Sequence, residues 1–311
     1  MKKSLVSGYI ALFLGIIALS LSPIFVKGSG APTVVTSFYR MLIPAVILTP
    51  FMLLEAHKEK KNGEPSSSSS DGGFKVWMLF PLLAGICTGL DHGFWSISLA
   101  RTSTGNASVL NAMAPVWIAL ASLIFLKEKL GGKFWIGLVL TAIGLVFISG
   151  KGLDFFREGF NEGDAIALFS SVFNGGYFLF TQLSRGHYSS LKHLWTINVV
   201  CALILFCFCR AMGYPLTGYS REVVINFFLV ALICQLGGYY ALTYALGILP
   251  ASVVGPTDEL HSVLSALIAV PVFGEPITMN QAIGMAGIIL GIILINASKN
   301  EARQPEPQES V

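Results

Sequence analysis

The sequence is poor in charge. Charged residues make up only 12% of its 311 positions, whereas a soluble domain carries about 25%. Hydrophobic residues reach 54%, and the mean hydropathy is +0.70. This shortage of charge argues against an ordinary soluble domain and predicts a membrane protein. The net charge of +3, without a concentrated basic face, also argues against a nucleic-acid partner.

Patterns typical of metal sites are missing as well. The five cysteines all lie within apolar segments, and no Cys/His spacing resembles a zinc site. We therefore expect reduced cysteines packed among membrane helices, no metal and no cofactor. The cysteines are Cys87, Cys201, Cys207, Cys209 and Cys234.

Common catalytic motifs are also absent from the sequence. There is no GxxxxGKS or GxxxxGKT phosphate loop, which argues against direct ATP drive. HExxH and GxSxG are missing too, so we expect a protein that is not an enzyme. Two alternatives stay open: a membrane-embedded enzyme that uses Asp and His groups, and a passive facilitator or exchanger on the same fold.

What the sequence does contain is a series of long apolar runs. A helix needs about 20 mostly apolar residues to cross the hydrocarbon core, and ten such segments can be drawn. They predict an all-α polytopic membrane protein with ten transmembrane helices. Spans 1 to 10 are predicted at residues 6–26, 32–54, 76–99, 103–126, 133–150, 163–183, 194–213, 223–246, 251–273 and 279–297.

Lysine and arginine are unevenly distributed between these spans. With the N-terminus in the cytoplasm, thirteen lie in cytoplasmic segments and six in the opposite ones. Because positive residues accumulate on the cytoplasmic side, we expect both termini inside and a multi-pass protein of the bacterial plasma (inner) membrane. Residues 55–75, with five consecutive serines, predict a flexible cytoplasmic loop, and residues 299–311 a disordered cytoplasmic tail.

One tract of the sequence occurs twice. GFWSISLA begins at Gly93 and GYYALTYA at Gly238, a spacing of 145. After an apparent two-residue insertion the spacing becomes 147, which pairs Glu128 with Glu275. Each copy belongs to a block of five predicted spans, and an odd number of crossings inverts the second block. We therefore predict two inverted five-helix repeats, residues 1–150 and 151–298, an architecture typical of transporters.

Several motifs in the two halves correspond to each other. LARTSTGNASVLNAMAPV is followed by FLKE, and YALGILPASVVGPTDEL by VFGE; Gly137/Gly144 and Gly284/Gly291 then follow in an IG-x(5)-G pattern. With an arginine in the second span, Arg40 in SFYRMLIPAVIL, the chain resembles the EamA-like family of the drug/metabolite transporter superfamily. The resemblance implies ten helices in two inverted halves, a central cavity lined mainly by spans 1, 3, 4, 6, 8 and 9, and movement of small organic solutes.

Span 3 carries a polar stripe. Ionisable residues in membrane spans are costly and tend to face the bundle interior, and Thr88, Asp91 and Trp95 recur there at helical spacing. A carboxylate beside an indole predicts a wall of the solute cavity suited to a cationic or amphipathic ligand. The alternative is that Asp91 only neutralises Arg40 as a structural pair. Both interpretations stay open.

Span 9 carries Asp258 and His261 on one face, with Glu259 beside them. A carboxylate and a histidine can accept and release a proton near neutral pH, which predicts coupling to a proton gradient. The alternative is structural. If Pro256 starts a helix, the helix dipole favours the two acids in its first turn.

Other polar residues lie on the spans that the resemblance assigns to the cavity, although such residues often only hydrogen-bond a neighbouring helix. The predicted substrate-binding residues are Asp91, Trp95, Asn111, Asn174, Tyr177, Gln235 and Tyr239. The coupling or gating candidates are Arg40, His92, Asp258, Glu259 and His261.

Together these features predict a secondary-active transporter that moves a small organic metabolite or drug-like solute by alternating access, with the proton as a candidate coupling ion. Its partners are expected to be the solute, H+ and the lipid bilayer. Asp91 and His92 correspond to Leu236 and Gly237 in the second half. Acidic or imidazole counterparts of Asp258, Glu259 and His261 are likewise missing around residues 111–115 of the first half. We therefore expect substrate and coupling specificity to lie where the two copies differ.

Overall fold

The computed structural model describes residues 4–62, 76–149, 155, 159–274 and 276–301. Within these ranges the secondary structure is helical and contains no strand. Nine helical segments are long and apolar enough to cross a membrane, and a tenth, Gly132–Ile148, is apolar but only 17 residues long. The prediction of an all-α polytopic membrane protein is confirmed.

The ten spans follow one another along the chain; spans 1, 4 and 9 contain an interruption, and span 8 contains a π-helix. The helices are α1 Leu5–Ser20, α2 Ser22–Ser29, α3 Thr33–Asn62, α4 Phe80–Ser98 (preceded by the 3-10 turn Val76–Leu79), α5 Thr104–Asn111, α6 Ala114–Ile124, α7 Gly132–Ile148, α8 Glu162–Ser184, α9 Ser190–Ala211, α10 Arg221–Leu229, the π-helix Val230–Tyr239, α11 Tyr240–Leu246, α12 Ala251–Asp258, α13 Leu260–Phe273 and α14 Met279–Glu301.

Two predicted irregular segments begin later than expected. Helix α3 continues to Asn62, so the first part of the predicted 55–75 loop is helical; residues 63–75 lie outside the described ranges. Helix α14 likewise continues to Glu301, and the rest of the predicted tail, 302–311, also lies outside them. Glu and Lys make up most of both extensions, and these residues have high helix propensity.

Spans 4 and 9 are interrupted at equivalent places. Helix α5 begins at Thr104 and α12 at Ala251, 147 residues later, and each contains eight residues. Span 4 resumes with α6 at Ala114, and span 9 resumes with α13 at Leu260. The equivalent interruption supports a common backbone plan for the two repeats.

Span 1 is interrupted at Leu21, between α1 and α2. Pro23 lies in the first turn of α2 and has no backbone N–H to continue the hydrogen bonding of α1. Other spans bond to carbonyl groups next to the interruption: Ser265 donates to the Ser20 carbonyl at 2.7 Å and Cys234 to the Ala18 carbonyl at 3.2 Å. Tertiary contacts therefore stabilise this bend inside the bundle.

Spans 5 and 10 pack with their backbones in close approach. A Cβ atom on Gly137 would lie 2.5 Å from the Gly291 carbonyl oxygen, and one on Gly144 would lie 2.7 Å from that of Gly284. The four paired glycines of the sequence therefore meet across one helix–helix interface, in the manner of small-residue contacts in membranes.

The remaining helix contacts show the same symmetry. Span 1 packs on span 8, span 3 on span 6, and span 2 on span 7. Spans 1 to 5 of the first repeat correspond to spans 6 to 10 of the second. When corresponding spans are exchanged, the pair of spans 1 and 8 becomes the pair of spans 6 and 3. The pair of spans 2 and 7 and the pair of spans 5 and 10 stay unchanged. The predicted fold of two inverted five-helix repeats is confirmed.

Candidate functional site

Polar residues from five spans converge around Tyr239, the last residue of the π-helix in span 8. The Arg40 guanidinium carbon of span 2 is 5.2 Å from the Tyr239 ring centroid, and the Tyr177 ring of span 6 is 5.7 Å away. Asp91 of span 3 and Asp258 of span 9 both interact electrostatically with the Tyr239 hydroxyl. The structure therefore brings five of the predicted residues together between the two repeats.

Arg40 is only 8% exposed and is held by neutral partners. Its Nε donates to Gln235 Oε1 at 3.1 Å, and its Nη1 donates to Ser22 Oγ at 3.0 Å. Gln235 in turn donates to Asn198 Oδ1 at 2.8 Å. This chain of hydrogen bonds joins spans 1, 2, 7 and 8 and fixes the orientation of the guanidinium group.

Asp91 belongs to a second chain of hydrogen bonds. Asn111 Nδ2 lies 2.6 Å from Asp91 Oδ1 and 2.8 Å from Ser170 Oγ, and His92 Nδ1 lies 3.4 Å from Asp91 Oδ2. No ion pair joins Asp91 to Arg40 within the described ranges. The predicted neutralisation of Arg40 by Asp91 therefore involves no direct ion pair between these two residues, and it stays a prediction.

The polar stripe of span 3 forms on α4. Trp95 is half-buried beside Ala107, Leu110 and Ala167 of spans 4 and 6. Its indole Nε1 is buried and has no hydrogen-bond partner within the described residues. Since a buried N–H without a partner is costly, this indole has donor capacity for a bound molecule.

Span 9 presents its acids at the interruption rather than at the start of the span. Asp258 is the last residue of α12, and Glu259 lies between α12 and α13. Pro256 does not begin a helix, because α12 begins at Ala251 and contains Pro256; Glu259 is instead the N-cap residue of α13, at the end where the helix dipole favours negative charge. Helix-start capping in α12 therefore does not explain either carboxylate.

The acidic atoms of span 9 lack partners within the described residues. Asp258 Oδ1 and Glu259 Oε2 are both buried without a hydrogen bond. His261 Nδ1 contacts the Asp258 backbone carbonyl at 2.7 Å and lies 3.9 Å from Asp258 Oδ2. The predicted face of Asp258 and His261 therefore exists, and it has unused acceptor atoms.

Three further predicted residues differ in how far they are buried. Tyr177 and Gln235 are buried, whereas Asn174 is half-buried and has no hydrogen bond within the described part of the chain. Ser22 and Asn198 were not predicted. Ser22 precedes the helix-breaking Pro23, and Asn198 is a lone amide in an apolar run, so each had only a weak sequence signal.

Hydrogen bonds between the repeats lie at both ends of the bundle. At one end Ser252 of the second repeat donates to Glu128 Oε2 of the first repeat at 2.6 Å. At the other end Thr102 donates to Asp164 Oδ1 at 2.6 Å. Glu275, the sequence counterpart of Glu128, lies outside the described ranges.

Arg185 lies just beyond span 6, at the same end as Glu128. Its Nε donates to the Thr243 carbonyl at 3.2 Å, near the end of α11. Burial lowers the pKa of Arg185 from its ordinary value, while the nearby Tyr240 and Tyr244 oppose that change. A guanidinium group stays protonated at physiological pH, so Arg185 places a positive charge where the helix dipole is negative.

The described residues offer no obvious site for a metal. No group of three His, Cys, Asp or Glu side chains within them could hold such an ion. The groups available at the centre are donors and acceptors for an organic molecule or for protons.

A solved crystal structure has a similar fold, with a TM-score of 0.73 and 16% sequence identity over 96% of this chain and 99% of that chain. An uncharacterized transporter of Archaeoglobus fulgidus is 24% identical over 85% of this chain and 88% of its own length. The uncharacterized transporter YetK of Bacillus subtilis is 26% identical over 87% of this chain and 80% of its own length.

The model of the EamA-like transporter family matches residues 6–150 and again residues 161–297. These two matches cover nearly all of the spans described above. The chain therefore belongs to the EamA-like transporter family and is an integral, multi-pass membrane transporter.

Proposed function

We propose that this transporter moves a small organic solute by alternating access, with the solute bound between the two repeats around Tyr239. The observation that carries the proposal is the group of buried and half-buried polar side chains inside the apolar bundle, formed by Arg40, Asp91, Tyr177, Tyr239 and Asp258. Ionisable groups at such a depth mark transport pathways. Transporters with inverted repeats bind their solutes at the repeat interface.

The two ends of the bundle support this mechanism. Glu128–Ser252 bonds hold the repeats together at one end, and Thr102–Asp164 bonds hold them at the other. Alternating access requires one set to open while the other stays closed. The units that move against each other are the predicted repeats 1–150 and 151–298. The positive-residue bias supports a bacterial plasma-membrane location with the Glu128 end and both termini in the cytoplasm.

Protons are the proposed coupling ion. Asp258 and Glu259 have unpartnered buried oxygens, and His261 lies beside Asp258. Protonation neutralises a buried carboxylate and so removes the free-energy cost of burying its charge. Protonation at the interruption of span 9 would therefore change which conformation is favoured. An imposed pH gradient should drive solute uptake, and uptake that ignores such a gradient contradicts this part of the proposal.

The transport proposal is tested with Asp91→Asn. A metabolite library is first screened by thermal shift on the purified protein, because a bound solute raises the melting temperature with concentration. A hit is then followed in proteoliposome counterflow. Asp91→Asn removes the charge that Asn111 Nδ2 contacts, and we expect at least a roughly tenfold loss of counterflow, since charged hydrogen bonds contribute about 1.5–3 kcal/mol.

Cys207→Ala is the matched control, because Cys207 is exposed on span 7, and it should transport normally. Wild-type proteoliposomes that release no hit faster than empty liposomes would contradict the transport proposal. Chemical conversion of a hit by the protein in detergent would instead favour the enzyme alternative.

A further inference from the structure

The guanidinium group of Arg40 has hydrogen-bond donors to spare. An arginine carries five N–H donors in a planar fork, and the residues around Arg40 accept from only two of its nitrogens, Nε and Nη1. No residue in the described ranges accepts from Nη2, and Nη2 is not among the fully enclosed atoms without a partner. Nη2 therefore keeps some accessible surface and an unused donor.

Arg40 also lacks a direct counter-charge. Its hydrogen-bond partners, Gln235 and Ser22, are neutral, and its third neighbour is the Tyr239 ring. Among the buried side chains of the described residues, Arg40 is the single lysine or arginine. A buried cation is costly unless it is paired. A direct anionic partner would therefore lower the cost of burying this guanidinium group.

The interruption in span 1 adds positive potential at the same place. Ser22, which accepts from Arg40 Nη1, is the first residue of the eight-residue helix α2. Leu21 precedes it and provides no side-chain cap for the first N–H groups. An uncapped helix N-terminus favours a negative charge, and broken helices in transporters direct such ends toward anionic solute groups.

We propose that Arg40, positioned by Ser22 and Gln235 beside the N-terminus of α2, binds one carboxylate group of the transported solute. This inference rests on the proposed function and names the class of solute. A planar carboxylate matches the free edge of the guanidinium fork. A phosphate dianion fits less well, because only one cation is present and Asp91 and Asp258 also interact with the neighbouring Tyr239 hydroxyl.

The rest of the solute lies against aromatic surface. The Tyr239 ring centroid is 5.2 Å from the Arg40 guanidinium carbon, and the Tyr177 ring of span 6 is 5.7 Å from the Tyr239 ring. An apolar or aromatic body attached to the carboxylate would pack there. Aromatic monocarboxylates are therefore expected among the better solutes.

The test uses proteoliposomes loaded with an equimolar mixture of small monocarboxylates, amines and neutral alcohols that share the same carbon skeletons. Release of each compound is measured by mass spectrometry for the wild type, Arg40→Gln, Arg40→Lys and Ser22→Ala. Arg210→Gln is the matched control, because Arg210 is exposed in the last turn of α9, away from Arg40 in the chain. Size-exclusion profiles establish which variants remain folded.

We expect the wild type and Arg210→Gln to release carboxylates at least tenfold faster than the matched alcohols. Arg40→Gln should lose this preference, Arg40→Lys should retain a small part of it, and Ser22→Ala should weaken it severalfold while leaving any slow alcohol release unchanged. If Arg40→Gln does not fold, Arg40→Lys and Ser22→Ala decide the question, since each alters the fork while leaving the other helices intact.

Three outcomes separate the possibilities. Preferential release of amines or alcohols by the wild type overturns the carboxylate site and leaves the transport proposal standing. Carboxylate release that is equal in the wild type, Arg40→Lys and Ser22→Ala also overturns it. No release of any compound by the wild type, together with no thermal-shift hit from the metabolite library, counts against the proposed function itself and removes the premise of the site.

Discussion

In span 4 the helix α5 ends at Asn111, and in span 9 the helix α12 ends at Asp258, 147 residues later. The two positions are equivalent, and both precede an interruption of the span. Asn111 contacts Asp91 and Ser170 through its amide nitrogen. Asp258 instead keeps a buried oxygen without a partner among the described residues. The repeats therefore share a backbone plan and differ in the charge they place at its centre.

This difference separates two kinds of position. Backbone contacts such as those of the paired glycines occur in both repeats, so substitutions at these glycines should be equally destabilising in either repeat. The charged positions occur in one repeat only, so equivalent substitutions in the two repeats should have unequal effects. The following substitutions test that distinction.

Asn111→Asp should have the largest effect on stability. It places in span 4 the residue type that span 9 has at the equivalent position, Asp258. Asn111 Nδ2 lies 2.6 Å from Asp91 Oδ1, so the new carboxylate would face a like charge in a buried site. We expect a loss of about 3–5 kcal/mol in unfolding free energy, the usual effect of an uncompensated buried charge. Denaturation of the purified protein measures it.

Asn111→Ser removes the amide without adding charge and serves as the control for that substitution, with a smaller expected loss. Equal destabilisation by Asp and Ser would show that charge at the end of α5 is unimportant.

Gly144→Ala and Gly291→Ala should have intermediate and similar effects. The new Cβ atoms would lie 2.7 Å from the Gly284 carbonyl oxygen and 2.5 Å from the Gly137 carbonyl oxygen. Overpacking of this kind costs about 1–3 kcal/mol, measured as a fall in melting temperature. Gly132→Ala is the control, since a Cβ there meets nothing within 4 Å. A large loss in only one of the two copies would contradict the shared backbone plan.

Asp258→Asn should have the smallest effect on stability, because it gives span 9 the residue of span 4 and removes a buried charge. We expect a change below about 1 kcal/mol, since no hydrogen bond to Asp258 Oδ1 is lost. Solute uptake driven by a pH gradient should disappear, while counterflow without a gradient continues.

His261→Gln tests the same proton site from its neighbour, which contacts the Asp258 backbone carbonyl. pH-driven uptake that is unchanged in both variants would remove span 9 from the coupling mechanism. Loss of counterflow in a folded Asp258→Asn variant would assign this carboxylate to solute binding instead.

Much of the fold could be predicted, because membranes impose strong local rules. Length and hydropathy were enough to place ten spans, since backbone groups in lipid must bond within each helix. Helical spacing was enough to place Thr88, Asp91 and Trp95 on one stripe of α4. The interruptions at Leu21 and Glu259 were not predicted, because they depend on bonds that other helices supply.

The candidate site was predicted as a set of residue types rather than as a geometry. Arg40 and Asp91 were both expected inside the bundle, but their partners, Gln235 and Asn111, come from spans far along the chain. Hydropathy and periodicity describe one helix at a time, so they do not determine which polar groups meet between helices.

The sequence by itself determined that this protein is helical, crosses the membrane many times and repeats one five-span unit in inverted form. These properties follow from apolar length, residue spacing and an odd number of crossings. Only the tertiary structure decided that Arg40 has neutral partners, that Asp91 contacts Asn111, and that Asp258 and Glu259 retain free oxygens at an interruption. The physical reason is that hydrogen bonds between membrane helices depend on how distant spans pack.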